Sequence, residues 1–382
     1  MITTREWCAL AHLPKLGARR LAVIRRELAA QGLADDWPEA WLTAMPAGPR
    51  DTLRHWLDHP TKSPLEASVM AALAWEASQP SHHLLHPGHP AWPALLDEIV
   101  DPPALLWAKG DLAALDLPGM AMVGTRHPTR EGSDNAAFFA RELVGAGFGI
   151  VSGMALGVDG VAQRAALDAG GRSVAVLGCG VDVIYPPRHA SLYRRLLDEG
   201  GLLLSEHPAE TRAHARYFPR RNRIITGLSL GVLVVEAAEK SGSLVSARLA
   251  MEQNREVFAI PGSLHNVQAR GNLGLIRDGA CLVRGRDDIL EQLGHWQALN
   301  AAPPEADTAT PPARAEAPAP SDVPQDPLLA LLDMTPTPLD VLVERSELDV
   351  GGCQMRLLEL ELAGQAAQVS GGWVRRAMLS QA

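Results

Sequence analysis

Five arginines and two aromatic residues are concentrated in the segment RAHARYFPRRNR, at residues 212–223. Guanidinium groups bind phosphates and release counterions from a nucleic acid, while aromatic rings stack on unpaired bases. Interleaved arginines and rings suit a single strand better than a duplex, because no helix has to enter a groove. The segment therefore indicates a binding site for an unpaired polynucleotide, and a solvated charged loop is the alternative interpretation.

Loops of small and polar residues form a second group of candidates, because each follows a predicted strand. Glycine lets the backbone approach a ligand, and the helix N-termini that follow present free N–H groups to anions. Since parallel strands bring their carboxyl ends to one edge of a sheet, these loops should lie together. The loops are residues 124–126, 152–157, 178–182, 237–243 and 261–263, together with the stretch that ends at 218–223.

Three other patterns point away from enzymatic or metal chemistry. The GxxxxGK[ST] loop of ATP-binding proteins is missing from the sequence. Residues 227–231 match GxSxG, but a helical stretch precedes them and a strand follows, which is the reverse of a nucleophile elbow. Four histidines between residues 82 and 89 lie among prolines without acid or thiol partners, so no metal site is expected there.

Short, continuous apolar runs alternate with helical stretches through the middle of the chain. Such runs indicate a parallel sheet that helices cover on both faces, with Phe139, Ala140, Leu143 and Val144 as the buried stripe of the first helix. The runs are residues 120–123, 149–151, 173–177, 202–205, 232–236, 256–260 and 280–283.

Four segments are predicted from composition and periodicity. Residues 1–80 form a small helical domain, similar to SAM or helix-hairpin-helix domains, and residues 13–17 loosely match a helix-hairpin-helix turn that can meet phosphate. Residues 81–298 form the core, and 299–327 form a linker rich in proline and alanine. Residues 328–382 show the winged-helix pattern, but their net charge of −3 favours protein contacts or weak DNA contacts.

The distribution of charged residues and cysteines limits the kinds of partner and compartment to expect. The 382 residues carry a net charge of −9, yet residues 119–290 hold 20 basic and 17 acidic side chains. The four cysteines are far apart, which is typical of free thiols in a reducing cytosol. No apolar run approaches the ~20 residues of a membrane span, and no signal peptide is evident. A cytoplasmic protein without a membrane partner is therefore expected.

Seven motifs, in order along residues 119–283, resemble the DNA-processing protein A family (DprA/Smf). The resemblance implies an extended Rossmann-like core, with a small helical domain before it and a winged-helix-like domain after it. It implies cytosolic binding of single-stranded DNA, homodimerisation and loading of the RecA recombinase during natural transformation, with no enzymatic activity and no cofactor. The motifs are VGTRHPTREG, SGMALGVDGVAQRAAL, AVLGCGVDVIYPP, FPRRNRIITGLS, VVEAAEKSGSLVSARLA, VFAIPG and GNLGLIRDGA.

The same resemblance implies a DNA-binding pocket. Within it, the arginines are assigned to phosphates, Phe218 to base stacking, and the serines before the helix at 243 to N–H and hydroxyl donation. Gln163 and Asn254 depart from the family pattern, which has His and Gly more often. The assigned residues are Gly124, Thr125, Arg126, Ser152, Gly153, Phe218, Arg220, Arg221, Asn222, Arg223, Ser241, Gly242 and Ser243.

Two other functions are compatible with parts of the sequence. A nucleotide-processing enzyme of the phosphoribohydrolase kind would use similar loops, with Glu206, Glu236 and Asp182 as acids or bases. The arginine–aromatic segment, which a mononucleotide site does not need, and the missing Gly-Gly-x-Gly-Thr loop count against it. A duplex-specific regulator that binds through the winged-helix-like module is opposed by the negative charge of that module.

Overall fold

The computed structural model describes residues 2–300, 326–332, 337–346, 348–363, 365–369 and 372–375. The chain divides into two compact units, residues 1–303 and 304–382, which are described separately. Most of the predicted linker, from residue 301 to 325, lies outside the described residues. No helix in the described part of the chain is long and apolar enough to cross a bilayer.

A nine-stranded sheet forms the centre of the first unit, in the order β1-β2-β6-β5-β4-β3-β7-β8-β9. Strands β3 to β9 run parallel, and each of the seven predicted apolar runs overlaps one of them. The prediction of a Rossmann-like parallel sheet is therefore confirmed. The strands are β1 His82–Leu85, β2 Leu106–Gly110, β3 Gly119–Val123, β4 Gly149–Ser152, β5 Ser173–Val176, β6 Leu202–Ser205, β7 Gly231–Val234, β8 Glu256–Ala259 and β9 Cys281–Leu282.

The strand order reverses between β3 and β7. From β3 the chain adds β4, β5 and β6 on one side, and it then returns to place β7, β8 and β9 on the other. In open sheets of this kind ligands bind outside the carboxyl ends of the strands, near such a reversal. The loops after β3, β4, β5 and β7 are thus at the expected edge.

Strands β1 and β2 were not predicted. They add an antiparallel pair to the free edge of β6, with Leu84 opposite Trp107 and Trp107 opposite Ser205. Their sequences, HHLL and LWAKG, carry histidine and lysine in place of a continuous apolar run. Antiparallel strands near the margin of a sheet need less apolar character than central parallel strands, so the pattern that revealed the other seven strands is weak here.

Helices cover both faces of the sheet. On one face α7 buries Phe139 and Leu143 against β3 and β4, as predicted for the first helix. On the other face Ile224 of α10 packs with Val234 of β7. These helices are α6 Leu95–Glu98, α7 Arg130–Gly145, α8 Val158–Asp168, α9 Ala190–Asp198, α10 Tyr217–Gly227, α11 Ser243–Glu252, α12 Arg270–Arg277 and α13 Arg286–Asn300.

The N-terminal helices share an apolar core with the sheet. Trp7, Trp41 and Trp56 are buried in the same cluster as Leu177 and Val181 of the core. These three tryptophans therefore anchor the core that the N-terminal helices share with the sheet. The helices are α1 Thr4–Ala11, α2 Ala18–Ala30, α3 Glu39–Ala44, α4 Ala47–Asp58 and α5 Pro64–Ser78.

Within its described residues, the second unit has three helices and an antiparallel pair of strands around a small apolar core that includes Leu342, Leu357 and Trp373. Helices α15 and α16 and the strand pair fit the predicted winged-helix pattern, and α14 precedes them. Arg356 of α16 is held by Asp326 and Glu359, so this helix does not present a free arginine to DNA. The elements are α14 Pro327–Leu331, α15 Leu339–Arg345, α16 Val350–Leu362, β10 Ala366–Val369 and β11 Gly372–Arg375.

Candidate nucleic-acid interface

The arginine-rich segment does not remain a loop up to residue 223. Helix α10 begins at Tyr217, and Pro219 lies in its first turn. Proline is tolerated there because its missing N–H is one that a helix start leaves unbonded in any case. Since successive residues of a helix point in different directions, the arginines separate: Arg220 is exposed, whereas Arg221 and Arg223 are buried.

Arg221 connects α10 to the ends of two strands. Its Nη1 donates to the carbonyl oxygens of Gly153, after β4, and Val176, at the end of β5. A Cβ at position 153 would overlap the guanidinium, so only glycine leaves room for it. Burial lowers the pKa of Arg221, and the nearby Asp159 carboxylate opposes that shift. The expectation that Arg221 offers a free guanidinium to solvent phosphate is therefore not met.

Asp159 fills the turn after β4 from within. Its Oδ2 accepts from the backbone N–H groups of Gly153, at 3.1 Å, and Ala155, at 3.3 Å. Burial raises the pKa of this carboxyl, and Arg221 acts in the opposite direction. The hydroxyl of Ser152 donates to the Met122 carbonyl oxygen, at 2.7 Å, and is fully buried. Gly153 thus contacts both Arg221 and Asp159, and Ser152 fixes the turn to β3.

Arg223 forms a buried ion-pair network. Its Nε lies 2.9 Å from Oδ2 of Asp101, and its Nη2 lies 2.6 Å from Oε1 of Glu206. Only 5% of its side chain is exposed. The assignment of Arg223 to phosphate is therefore not supported by its geometry. Arg220, whose Nε is 3.4 Å from Glu206, is half-exposed and remains accessible.

Phe218 and Tyr185 form an aromatic pair beside these arginines. Their ring centroids are 5.2 Å apart, and the Arg221 guanidinium lies 5.7 Å from the Phe218 ring. A Cβ at Gly178 would lie 2.6 Å from Cδ1 of Phe218, so glycine lets the ring lie over the loop after β5. Tyr185 was missed from the sequence, although it follows the loop after β5. Tyr185 is 42% exposed as a residue and offers a second stacking face.

The loop after β3 brings Arg126 to the same region. Thr125 donates its N–H to the Glu236 carbonyl oxygen, at 2.7 Å, which fixes the loop against the end of β7. Arg126 is exposed and has no ion pair among the described residues. It lies close enough to Arg221 for its charge to contribute to the lowered pKa of that residue.

The remaining assigned residues lie on α10 and at the start of α11, which pack against each other. Asn222 is half-buried on α10. The hydroxyls of Ser241 and Ser243 are hydrogen-bonded to each other, and Gly242 between them is exposed. No direct contact joins these serines to Arg126 or Phe218 in the described structure.

Four accessible side chains surround the buried Arg221 and Arg223 at this end of the sheet: Arg126, Tyr185, Phe218 and Arg220. This set is called the arginine–aromatic surface below. Beneath this surface lie the buried Arg221 and Arg223, together with Ser152, Gly153 and Gly178. Asp159 lies near Arg221, and Glu206 pairs with Arg223. The arrangement can offer two cations and two ring faces to a ligand that lies across the sheet edge.

Two family models match the chain. The model described as DNA recombination-mediator protein A matches residues 83–294, and the model described as DprA winged helix domain matches residues 311–372. The second match confirms the winged-helix prediction for the C-terminal unit. The first spans the sheet, α6 to α12 and the arginine–aromatic surface.

Among solved structures, DNA processing protein A from Streptococcus pneumoniae superposes with a TM-score of 0.64 at 30% identity, covering 76% of this chain and 98% of that one. A second structure is that of DNA processing protein A from Helicobacter pylori, which is described in terms of its single-stranded DNA binding mode. It superposes with a TM-score of 0.50 at 33% identity. It covers 56% of this chain and 96% of that one.

Curated relatives extend the similarity to the whole chain. Protein Smf from Escherichia coli (strain K12) is 41% identical over 385 residues, which covers 98% of this chain and 96% of that protein. DNA processing protein DprA from Bacillus subtilis (strain 168) is 45% identical over 203 residues, or 53% of this chain and 68% of that protein. The fold, the two matched family models and the 41% identity to Protein Smf agree. The chain therefore belongs to the DNA recombination-mediator protein A family, DprA/Smf.

Proposed function

We propose that this protein binds single-stranded DNA without strong sequence preference, protects it, and loads the RecA recombinase onto it during natural transformation in the cytoplasm. In this proposal it acts as a binding protein, without catalysis. The arginine–aromatic surface is the observation that carries the DNA-binding part, because exposed cations and ring faces are what an unpaired strand needs. Support for the RecA-loading step comes from the family to which the chain belongs.

The proposal is favoured over a mononucleotide-processing enzyme because the chain's own acids occupy the places where a phosphate would bind. Asp159 accepts from the N–H groups after β4. The Glu236 carboxylate accepts from N–H and Oγ1 of Thr129, the N-cap of α7, each at 2.8 Å. Helix starts and glycine turns are the usual phosphate sites of this fold class. A ligand held outside these turns, across the exposed side chains, fits the geometry better.

The other acids named for that enzyme are engaged as well. Glu206 pairs with Arg223, at 2.6 Å. Asp182 accepts from Nζ of Lys109, at 2.6 Å, and from Nε1 of Trp75, at 2.8 Å. Carboxylates held by two partners in this way stabilise the fold, and they are poorly placed to exchange protons with a substrate.

The double variant Arg126→Ala/Arg220→Ala tests the DNA-binding part. We expect weaker oligo-dT binding and a slope of log K against log salt that is smaller by about 0.7 for each lost phosphate contact. Fluorescence anisotropy over a series of salt concentrations measures both quantities. Arg141→Ala/Arg194→Ala removes the same charge from exposed positions on α7 and α9 and should leave the slope near that of the wild type. Equal slopes for the two double variants would contradict the assignment.

We place the contact of the proposed homodimer at a groove between α11 and α12 with a volume of about 720 Å³. Its lining includes the apolar Met251 and Leu264, and both signs of charge, among them Arg270 and Asp278. A two-fold axis brings one surface against its own copy, so a patch that carries both signs can pair with itself. Exposed apolar patches of this kind commonly mark protein contacts.

The variant Leu264→Asp is expected to be monomeric, because it buries a carboxylate in that contact. The Leu264 side chain is 75% exposed within one chain, so the fold should tolerate the change. Sedimentation velocity at several protein concentrations measures the state of assembly. Val100→Asp, at an exposed apolar position outside the groove, is the control and should stay dimeric. A dimeric Leu264→Asp protein would move the contact elsewhere.

A further inference from the structure

A second groove runs between the N-terminal helices and the core, directly beside the arginine–aromatic surface. Its volume is about 220 Å³, and Arg220 forms part of its wall. On one side lie the end of α1 and the turn into α2, and on the other lies the start of the loop after β6, with Glu206 and His207. Pockets that hold a whole small ligand usually measure about 300–1,000 Å³, so this groove suits a segment of a longer chain.

The core side of the groove is electrostatically compensated. Its single acid, Glu206, is paired with Arg223 at 2.6 Å and lies 3.4 Å from Nε of Arg220. Burial lowers the pKa of His207, so this ring is neutral near pH 7. The ring lies 3.9 Å from that of Tyr217. An anion in the groove would therefore meet no uncompensated negative charge from this side.

Three cations lie next to the N-terminal wall of the groove, outside its lining. Lys15, Arg19 and Arg20 flank the turn that lines the groove, and all three are exposed. They make no ion pair with any residue that the structure describes. Two further arginines of α2 behave differently: Arg25 pairs with Asp97, and Arg26 donates to the Ile99 carbonyl oxygen. Helix α2 is thus fixed to the core by one pair of arginines and leaves the other pair available.

The turn between α1 and α2 leaves its backbone open to the groove. Gly17, the N-cap of α2, has no side-chain cap, and a Cβ there would meet nothing within 4 Å. This is the turn, Leu13 to Gly17, whose sequence loosely matches a helix-hairpin-helix turn. The turn that matches this motif therefore lines a groove and has next to it three cations that are unpaired among the described residues.

We propose that this groove carries the sugar–phosphate backbone of the single strand beyond the arginine–aromatic surface, with Lys15, Arg19 and Arg20 as phosphate contacts and Arg220 shared by both regions. The inference rests on the proposed function and adds to it a role for the N-terminal helices. These helices would lengthen the stretch of DNA that one protomer covers.

A length-dependent binding assay tests this path. Single-strand sites usually cover about 4–16 nucleotides, so oligo-dT of about 6 and about 20 nucleotides should separate the core site from its extension. For Lys15→Ala/Arg19→Ala we expect unchanged affinity for the short oligonucleotide. For the long one we expect a salt slope smaller by about 1.4, at 0.7 for each lost contact. Arg54→Ala/Lys62→Ala removes the same residue types from exposed positions of the same helical layer and should change neither.

A second pair of variants removes the risk of misfolding. Both Gly17→Ser and Gly17→Asp supply a good N-cap to α2, but only aspartate adds a negative charge at the groove. Gly17→Asp should weaken binding of the long oligonucleotide roughly three- to tenfold relative to Gly17→Ser, at equal melting temperature. Wild-type protein that binds neither oligonucleotide would overturn the proposed function itself. Unchanged long-oligonucleotide binding in both tests, or equal losses for short and long, would overturn the groove path and leave the core site standing.

Discussion

Replacing Arg223 with alanine is expected to lower the free energy of unfolding by about 3–5 kcal/mol, because it leaves the Glu206 carboxylate buried without its closest partner. The guanidinium is 5% exposed and the Glu206 side chain is 14% exposed, so water cannot fully compensate the loss. Urea denaturation followed by circular dichroism measures the effect. Arg220→Ala, three residues away on the same helix, should cost at most about 1 kcal/mol, because its ion pair is half-exposed.

A second variant separates this role of Arg223 from one in DNA binding. Arg223→Ala/Glu206→Gln removes both charges and should recover a substantial part of the lost stability. If Arg223→Ala were as stable as the wild type, and lost oligo-dT affinity with a smaller salt slope, then Arg223 would be a phosphate ligand. That outcome would restore the assignment made from the sequence alone.

Replacing Phe218 with alanine is expected to weaken oligo-dT binding by roughly 1–3 kcal/mol, the usual loss of one stacked base. The salt slope should not change, since no charge is removed. Tyr185, with its ring centroid 5.2 Å from that of Phe218, should retain part of the binding. Titration of labelled oligo-dT at several salt concentrations gives both the affinity and the slope.

Phe218→Leu is the matched variant for this prediction. Leucine keeps apolar contact with the backbone at Gly178, so folding should be preserved, but it offers no ring face. We expect it to bind nearly as weakly as Phe218→Ala. Full affinity with leucine at this position would show that the ring packs against the protein and does not stack on DNA.

The sheet was predictable because buried parallel strands have a simple signature. Strand β5 reads SVAV and β7 reads GVLV, and every residue of both is buried, so the apolar run needs no alternation to be recognised. Strand β1 carries no such run, because two of its four residues are histidines, and it was missed for that reason. The prediction thus succeeded where burial alone determines the choice of residue.

The site was predictable as a region, and the role of each arginine was not. Arg223 pairs with Asp101 and Glu206, which are distant from it in sequence. The residues around Arg223 therefore do not indicate these partners. The sequence predicted a loop up to residue 223, whereas α10 begins at Tyr217 and tolerates Pro219 in its first turn. Helical geometry makes some of the arginines exposed and others buried. A loop prediction for this segment could not reveal that difference.

The two glycines beneath the arginine–aromatic surface make certain substitutions conditional on one another. A side chain at 153 would displace the guanidinium of Arg221, and one at 178 would displace the ring of Phe218. Among natural homologues these four positions should therefore change in couples, 153 with 221 and 178 with 218. A homologue without the arginine at 221 no longer requires glycine at 153. An alignment of many homologous sequences should therefore show covariation within each pair.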